Sequence, residues 1–337
     1  MKKGGYRQLN GYDRARLEAL LNQGMTQYRI ARELGVHRST ISREVKERGA
    51  VIAGYKAEWA QKDYVQNKKR CGAERRIESN GVLFAYVVEK LKTGWSPEVI
   101  SGRLKREIRE GKRDADMYVN HESIYQFVFD SEYGKKEALR QYLRRGKKRR
   151  SSRDGRKVQR EIIPNRVSIE ERPIEVEKRE AVGHWEGDTI MYGKLKGLNS
   201  LVERKTRYVL LTKLNGKTPA ETENAVVQRL SSHICISLTV DNGIENRNHE
   251  AMTQQLRVPV YFCHPYSSWE KGTNENTNGI VRRYLPKKLN IDTVNQGEVN
   301  DIAQEINHRP RKVLDYATPH EELTNEYLRL SIVALNY

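Results

Sequence analysis

Three carboxylates in the second half of the chain have the residue types and contexts that divalent-metal chemistry requires. Asp188 lies within a run of strand-forming residues, Asp241 ends an apolar run before an Asn-Gly turn, and Glu275 lies on a predicted helix, with 33 residues between the last two. Two aspartates on neighbouring strands and a glutamate on a helix beside them can face one pocket, where their mutual repulsion would require cations. Oxygen ligands of this kind suit Mg²⁺ or Mn²⁺. Two such ions about 3.5–4 Å apart can activate an attacking hydroxyl and stabilise a leaving oxygen in phosphoryl transfer.

Each carboxylate also has a simpler explanation. Asp241 can be an ordinary turn residue, and Glu275 can be a favourable charge at the start of a helix. Asp188 has the weakest explanation of this kind, because it stands among strand formers. Glu186 and Glu245 are rival ligands. Since Glu186 and Asp188 are two residues apart, they share one face of a strand, and spacing alone leaves the choice between them open.

Three side chains near these acids are candidates for contacts with nucleic acid. Arg282 follows Glu275 by seven residues, so two helical turns bring it nearly to the same face. There it could contact a phosphate or form a surface salt bridge. Tyr266 and Trp269 could stack on bases or pack at the rim of the site.

The sequence from about Gly183 onwards predicts the mixed framework that would position these residues. The short β-rich runs cover residues 184–192, 200–205, 207–214, 236–241 and 258–264. The helical patterns cover residues 219–231, about 273–284 and 295–308. Strands in succession, then strands mixed with helices, indicate an α/β or α+β catalytic-type domain.

The 337-residue chain carries a formal charge of +18, and the excess lies entirely in its first half. Residues 1–160 contain 39 Lys and Arg against 20 Asp and Glu, whereas residues 161–337 contain 23 against 24. A basic half joined to a near-neutral half indicates polyanion binding. Nucleic acid is the expected partner, because neutralised phosphates release their counterions. Residues 144–157 have almost no apolar side chain and predict a basic linker, and the charged residues 161–180 predict a connector.

Composition excludes membrane proteins and small secreted scaffolds. No apolar run approaches the roughly 18 residues that a membrane span needs, and the chain start lacks the apolar stretch of a signal peptide. Three cysteines, at 71, 235 and 263, cannot build a disulfide framework and fit a reducing cytosol. We therefore expect a cytoplasmic protein with no membrane partner.

Residues 26–45 predict a helix-turn-helix unit after an amphipathic helix over residues 13–23. Thr26 can cap the first helix of the pair, Gly35 ends that helix, and Ile41 points back to the core. The second helix then leaves five side chains free for the major groove of DNA, namely Arg38, Ser39, Thr40, Ser42 and Arg43. The alternative is an ordinary αα-hairpin.

A second helical unit follows. Ser96 as N-cap and Pro97 at the first helical position predict a helix, and residues 120–128 predict another after a charged loop. This is either a second DNA-binding helix pair or a packed helical connector.

Two further constellations are weaker candidates. A zinc site would use two His–Cys pairs whose apolar, strand-like surroundings favour buried structural cysteines instead, namely His233 with Cys235 and Cys263 with His264. A tyrosine recombinase would place His308 and Arg311 on a helix that Pro310 breaks, and Tyr316 follows too soon.

On these residues the sequence resembles the DDE transposases of the bacterial insertion-sequence-30 family, over nearly the whole chain. The most specific segment is residues 271–287, KGTNENTNGIVRRYLPK. The family typically has Arg in place of Lys271 and Gln or Glu in place of Arg283. The 33-residue gap matches the spacing in this family and in retroviral integrases. The other similar segments are residues 41–44, 95–98, 184–188 and 239–243.

The resemblance implies a multidomain protein, with all-α N-terminal helix-turn-helix units and an α/β ribonuclease-H-like (retroviral-integrase-like) catalytic domain. The expected domains are a helix-turn-helix unit over 1–62, a second helical DNA-binding unit over 63–143, a basic linker and connector over 144–180, and the catalytic domain over 181–337. The resemblance also implies Asp188, Asp241 and Glu275 as catalytic ligands of two Mg²⁺ (or Mn²⁺) ions, and it is what prefers Asp188 over Glu186. Arg282 and Lys287 join the DNA-contact candidates.

The implied function is DNA transposition. The helical units would bind the terminal inverted repeats of an insertion element, and the metal site would cut one strand to release a 3′-hydroxyl. That hydroxyl would then attack target DNA, with no covalent protein intermediate. Because two ends must be joined, a homodimer or larger assembly is expected, associated with the bacterial nucleoid. The alternative is a non-catalytic helix-turn-helix regulator derived from a transposase, which the three intact acids disfavour.

Overall fold

The computed structural model describes residues 7–50, 54–70, 76–143, 163–193, 196–265 and 267–335. The chain divides into two compact units, Met1–Arg75 and Arg76–Tyr337. The predicted linker over 144–157 and Cys71 lie outside the described residues. In the described part of the chain, no helix combines the length and apolarity needed to cross a membrane.

The described residues of the first unit form four helices and a short antiparallel hairpin. Its elements are α1 (Gly11–Asn22), α2 (Gln27–Leu34), α3 (Arg38–Arg48), β1 (Gly49–Ala50), β2 (Gly54–Tyr55) and α4 (Ala57–Arg70). Leu17, Ile30 and Ile41 are fully buried in one core to which all three predicted helices contribute. Helix α4 packs against α1 and runs across the boundary predicted between residues 62 and 63, so this unit extends beyond it.

Local signals explain how the helices of the first unit begin and end. Asn10 and Asp13 form a reciprocal capping box at the start of α1. Gly35 ends α2 in the left-handed conformation, with φ of 65°. Thr26 occupies the N-cap position of α2, but its side chain makes no capping hydrogen bond, so the expected cap is made by backbone conformation alone.

The helical part of the second unit packs around its own core. Its helices are α5 (Arg76–Ser79), α6 (Gly81–Lys92), α7 (Pro97–Arg109), α8 (His121–Asp130) and α9 (Glu132–Lys136). The Ser96 hydroxyl accepts from the Val99 backbone N–H at 3.3 Å, and Pro97 is the first residue of α7, as predicted. Ile100, Ile124 and Phe127 are fully buried where α7 and α8 meet.

The rest of the second unit is an α/β domain. Its elements are β3 (Val167–Ser168), α10 (Ile174–Lys178), β4 (His184–Tyr192), β5 (Lys196–Glu203), β6 (Val209–Leu214), α11 (Pro219–Leu230), β7 (Ser237–Val240), α12 (His249–Leu256), β8 (Val260–Phe262), α13 (Gly272–Tyr284), α14 (Gln296–Asn307) and α15 (Pro319–Leu335). The six strands lie in the order β3-β8-β7-β4-β5-β6. Strands β4, β5 and β6 form an antiparallel meander, and β7, β8 and β3 add in parallel beside β4.

Helices cover both faces of this sheet. Ile190 and Leu198 pack with Val281 of α13 and Ile306 of α14 on one face. On the other face, a second cluster joins the sheet to α11 and α12, and Trp185 is fully buried there. The predicted fold class is confirmed, because a helical N-terminal part with a helix-turn-helix unit precedes an α/β domain that has the mixed strand order of a ribonuclease-H-like fold.

Residues 163–180 are part of the α/β domain, which differs from the connector that their charge predicts. Ile163 lies in the core with Trp185, and β3 pairs in parallel with β8. The buried Arg172 donates to the Thr239 hydroxyl at 3.1 Å and pairs with Glu177. At least one charged residue of this segment, Arg172, is thus buried and paired, which composition does not reveal.

A set of contacts, here called the C-terminal clamp, joins α7 to the first turn of α15 and to Tyr316 in the segment before it. Arg103 donates to both carboxylate oxygens of Glu321, at 2.6 and 2.7 Å, and to the backbone oxygen of Tyr316. The hydrogen bond from Arg103 lowers the pKa of Glu321 to about 2. The Tyr316 ring packs so closely on Gly102 that a Cβ there would lie 2.2 Å from a ring carbon.

Candidate active site

The sheet places two of the three predicted acids side by side. Asp188 lies in β4, and Asp241 directly follows β7. The two strands are parallel, with Glu186 aligned to Thr239. Each acid comes two residues after one of these aligned residues. Because neighbouring strands lie about 4.8 Å apart, the two carboxylates share one edge of the sheet.

A buried lysine bridges these carboxylates. The Nζ atom of Lys271 lies 3.2 Å from Asp188 Oδ1 and 3.6 Å from Asp241 Oδ2, and it donates to the backbone oxygen of Gly187 at 3.0 Å. Burial alone lowers the pKa of Lys271, but the two carboxylates outweigh burial and raise it above its ordinary value. The site therefore already gathers positive charge between the two acids.

The remaining carboxylate oxygens are held by other donors. Asn278 on α13 donates to Asp188 Oδ2 at 2.6 Å. The Gly243 backbone N–H and the Asn246 side chain each donate to Asp241 Oδ1 at 3.1 Å. Each aspartate thus has one oxygen fixed by a neutral donor, and its other oxygen faces Lys271.

Glu275 lies apart from this pair. It is exposed in the first turn of α13 and lines a cleft of about 1290 Å³, together with Lys92, Gly94 and Tyr142 of the helical part. Among the described residues, no three His, Cys, Asp or Glu side chains form a group that could hold a metal ion. The structure therefore brings Asp188 and Asp241 together and leaves Glu275 outside the pair.

The rival ligand Glu186 is engaged elsewhere. It is fully buried, its carboxylate pairs with the buried Arg204, and it accepts from the Asn274 backbone N–H at 3.3 Å. Burial lowers the pKa of Arg204, and the Glu186 charge opposes that change. Glu245, the other rival, is buried and lies 3.2 Å from Lys217 Nζ. Both rivals therefore already have cationic partners.

Two buried oxygen atoms near Asp188 lack partners among the described residues. Ser200 lies directly opposite Asp188 across the β4–β5 pair, and opposed residues point to the same face of a sheet. Its Oγ atom and the Oδ1 atom of Asn278 make no hydrogen bond within the described chain. Buried oxygens normally find a donor or a cation, so the surroundings of Asp188 can accept one.

Of the two basic DNA contacts predicted in the α/β domain, Arg282 folds back on the domain. Its guanidinium donates to the Met191 backbone oxygen at 2.7 Å and lies 4.3 Å from the centre of the Tyr192 ring. The Nη1 atom is buried and has no hydrogen-bond partner within the described chain. Lys287 is exposed.

In the first unit, α3 presents the face that the sequence predicts. Ile41 and Glu44 are buried, and Glu44 holds Arg14 at 2.6 Å beneath the helix. The five predicted DNA contacts lie on the open side, where three are exposed and two are partly exposed, namely Arg38, Ser42 and Arg43, then Ser39 and Thr40.

The second helical unit repeats a local pattern of the first, a signal that sequence reasoning missed. Gly24 and Gly94 both adopt left-handed backbone conformations, with φ of 75° and 76°. Each is followed six residues later by a fully buried isoleucine, Ile30 in α2 and Ile100 in α7. The six-residue spacing from each glycine to its isoleucine is visible in the sequence and would have revealed the repeat.

Comparisons with known proteins agree with this arrangement. A helix-turn-helix domain family model matches residues 5–48. The chain is 36% identical over 330 residues to the transposase for insertion sequence element IS1086 of Cupriavidus metallidurans, covering 96% of each chain. It is 37% identical over 320 residues to a transposase for insertion sequence element IS30A of Escherichia coli, covering 92% of this chain and 81% of that relative.

The chain belongs to the IS30 family of transposases. A transposase for IS4351 of Bacteroides fragilis is 36% identical over 311 residues, covering 91% of this chain and 92% of that relative. The catalytic core domain of BIV integrase is a solved structure similar to part of this chain, with 16% identity, a TM-score of 0.37, and coverage of 45% of this chain and 99% of that one. As a transposase with a helix-turn-helix domain, the protein binds DNA.

The described residues of the weaker constellations make packing and hydrogen-bond contacts within the transposase. Burial raises the pKa of Cys235 and of Cys263 to about 12, as expected of structural thiols. His233 contacts the Tyr327 hydroxyl, and His264 lies between two glutamates. Tyr316 packs on α7. Tyr266 and the side chain of Trp269 lie outside the described residues.

Proposed function

We propose that this transposase binds the terminal inverted repeats of its element and performs metal-dependent DNA strand cleavage and strand transfer at Asp188, Asp241 and Glu275. The observation that carries the proposal is the convergence of the Asp188 and Asp241 carboxylates on one buried cation, the Lys271 ammonium. A sheet edge that gathers positive charge between two acids has the electrostatics of a cation site.

The donor set fits Mg²⁺ or Mn²⁺. Asp188 and Asp241 each direct a carboxylate oxygen at one place, and the nearby Ser200 Oγ and Asn278 Oδ1 are buried without partners among the described residues. Hard divalent cations prefer oxygen ligands of this kind. Glu275, in the first turn of the helix that covers the site, would supply the third carboxylate. When bound, two ions would activate the attacking hydroxyl and stabilise the leaving oxygen.

The residues of the chain orient and separate the participants. Asn278, Gly243 and Asn246 each donate to one oxygen of an aspartate, so the oxygens that face Lys271 are the ones an ion would use. Arg282 is held beside β4 by the Met191 backbone oxygen and would have to turn outward to reach a DNA phosphate, whereas Lys287 is already exposed. Helix α3 would read base edges through Arg38 and Arg43, since Arg is the commonest side chain to make bidentate contacts with guanine. Joining two element ends requires at least two copies of the chain.

The test is a Mg²⁺-dependent nicking and strand-transfer assay on DNA that carries the element's ends. Asp241→Asn removes a charge and little volume, so cleavage should be lost while end binding in a gel-shift assay is kept. Asp301→Asn is the matched control, because Asp301 is exposed on α14, and it should retain both activities. Loss of cleavage and binding together in Asp241→Asn would mean that Asp241 is structural. Persistent cleavage in that variant would overturn the proposal.

A further inference from the structure

Lys271 is an unusual residue to find between two acids of a proposed metal site. Its side chain is only 8% exposed, and lysine is rarely buried to this extent unless it is paired. It donates to Asp188 and to the Gly187 backbone oxygen and forms an ion pair with Asp241, and all three partners lie on the sheet edge that carries the acids. The lysine therefore ties the start of α13 to the acidic pair.

We propose that Lys271 is an internal counter-cation, whose ammonium holds Asp188 and Asp241 together in the metal-free protein and competes with the divalent ion for the same two oxygens. The inference rests on the proposed function, because it takes Asp188 and Asp241 as metal ligands. Lys271 is then a positioning residue that sets how tightly the metal binds.

The geometry makes the competition direct. Asp188 Oδ2 and Asp241 Oδ1 are occupied by Asn278, Gly243 and Asn246, so the oxygens free to meet an ion are those that face Lys271. Positive charges a few ångströms apart repel each other. An ion that takes these oxygens must displace the ammonium. The apparent affinity is then reduced by the fraction of molecules in which the ammonium has already moved away.

If Lys271 had a purely structural role, its removal would not be expected to increase Mn²⁺ affinity. If Lys271 only braces the fold, its removal disorders the site and leaves Mn²⁺ affinity unchanged or weaker. If it competes, its removal makes Mn²⁺ bind more tightly and makes the metal-free protein less stable, because the two carboxylates then repel each other unopposed. The direction of the change in affinity therefore separates the two roles.

The experiment titrates Mn²⁺ into the full-length protein by isothermal calorimetry. Lys271→Met should tighten Mn²⁺ binding about tenfold or more, equivalent to about 1.4 kcal/mol. Lys271→Arg keeps the charge and should bind Mn²⁺ within about threefold of the unmodified protein. Lys288→Met removes an exposed lysine beyond α13 and should leave the affinity unchanged.

Thermal unfolding supplies a second readout that does not require catalysis. Without metal, Lys271→Met should melt below Lys271→Arg, and saturating Mn²⁺ should raise its melting temperature more than that of the unmodified protein. If Lys271→Met is poorly folded without metal, Lys271→Gln is titrated instead. Equal or weaker Mn²⁺ affinity in the neutral variant overturns the inference. If Asp241→Asn binds Mn²⁺ as tightly as the unmodified protein, the metal assignment of the proposed function fails instead.

Discussion

Replacing Glu186 tests whether this buried acid supports the fold or belongs to the metal site. Its partner Arg204 is 3% exposed, so neutralising Glu186 leaves a buried guanidinium charge without its main partner. Breaking such a pair costs about 3–5 kcal/mol. The loss of stability in Glu186→Gln should lie near the lower end of this range, because the amide still accepts a hydrogen bond and Glu177 lies 3.9 Å from Arg204. For a domain of this size, about 3 kcal/mol corresponds to a melting temperature lower by about 6–12 °C.

The assay is thermal unfolding of the full-length protein in EDTA, so that metal binding does not contribute. Asp301→Asn is the control and should melt within about 2 °C of the unmodified protein, as surface substitutions typically do. A Glu186→Gln variant that melts like this control would refute the reasoning. If that variant also failed to bind Mn²⁺, Glu186 would be a metal ligand.

Three other outcomes are expected. Arg38→Ala and Arg43→Ala should weaken binding to element ends by about 1–3 kcal/mol wherever the side chain reads a guanine, and unchanged footprints in both would remove α3 from the recognition surface. The pKa of Glu321 lies at about 2, below its ordinary 4.5. Its pairing with Arg103 therefore stabilises the fold above pH 4.5, and this stabilisation is lost as the pH falls toward 2. Arg103→Met should make the free energy of unfolding less dependent on pH in this range. Gly102→Ala should loosen the C-terminal clamp, seen as faster amide hydrogen exchange in α7, and unchanged exchange would contradict the packing described.

The helix-turn-helix unit was largely predictable because its signals are local. Gly35 ends α2 in the left-handed conformation, which favours glycine. Ile41 follows at the spacing that places it on the core-facing side of α3. The boundary at residue 62 was less predictable, because α4 joins the unit through packing against α1 rather than through any break in composition.

The acidic pair was predictable in outline but not in detail. An acid among strand formers and an acid before Asn-Gly mark Asp188 and Asp241. What distinguishes Glu186 from Asp188 is the ion pair of Glu186 with Arg204, which directly follows β5 and lies 18 residues further along the chain. Strand periodicity carries no information about such a contact. The burial of Lys271 was not predictable, because the residues around it in the sequence do not indicate that its side chain contacts the sheet.

The C-terminal clamp has a consequence for deletion studies of this transposase. A chain shortened to end before residue 312 would keep every acid proposed for catalysis, yet α7 would lose its Arg103–Glu321 pairing and the aromatic cover over Gly102. Inactivity after such a deletion would report an unanchored helix, and it would say nothing about chemistry performed by the removed residues.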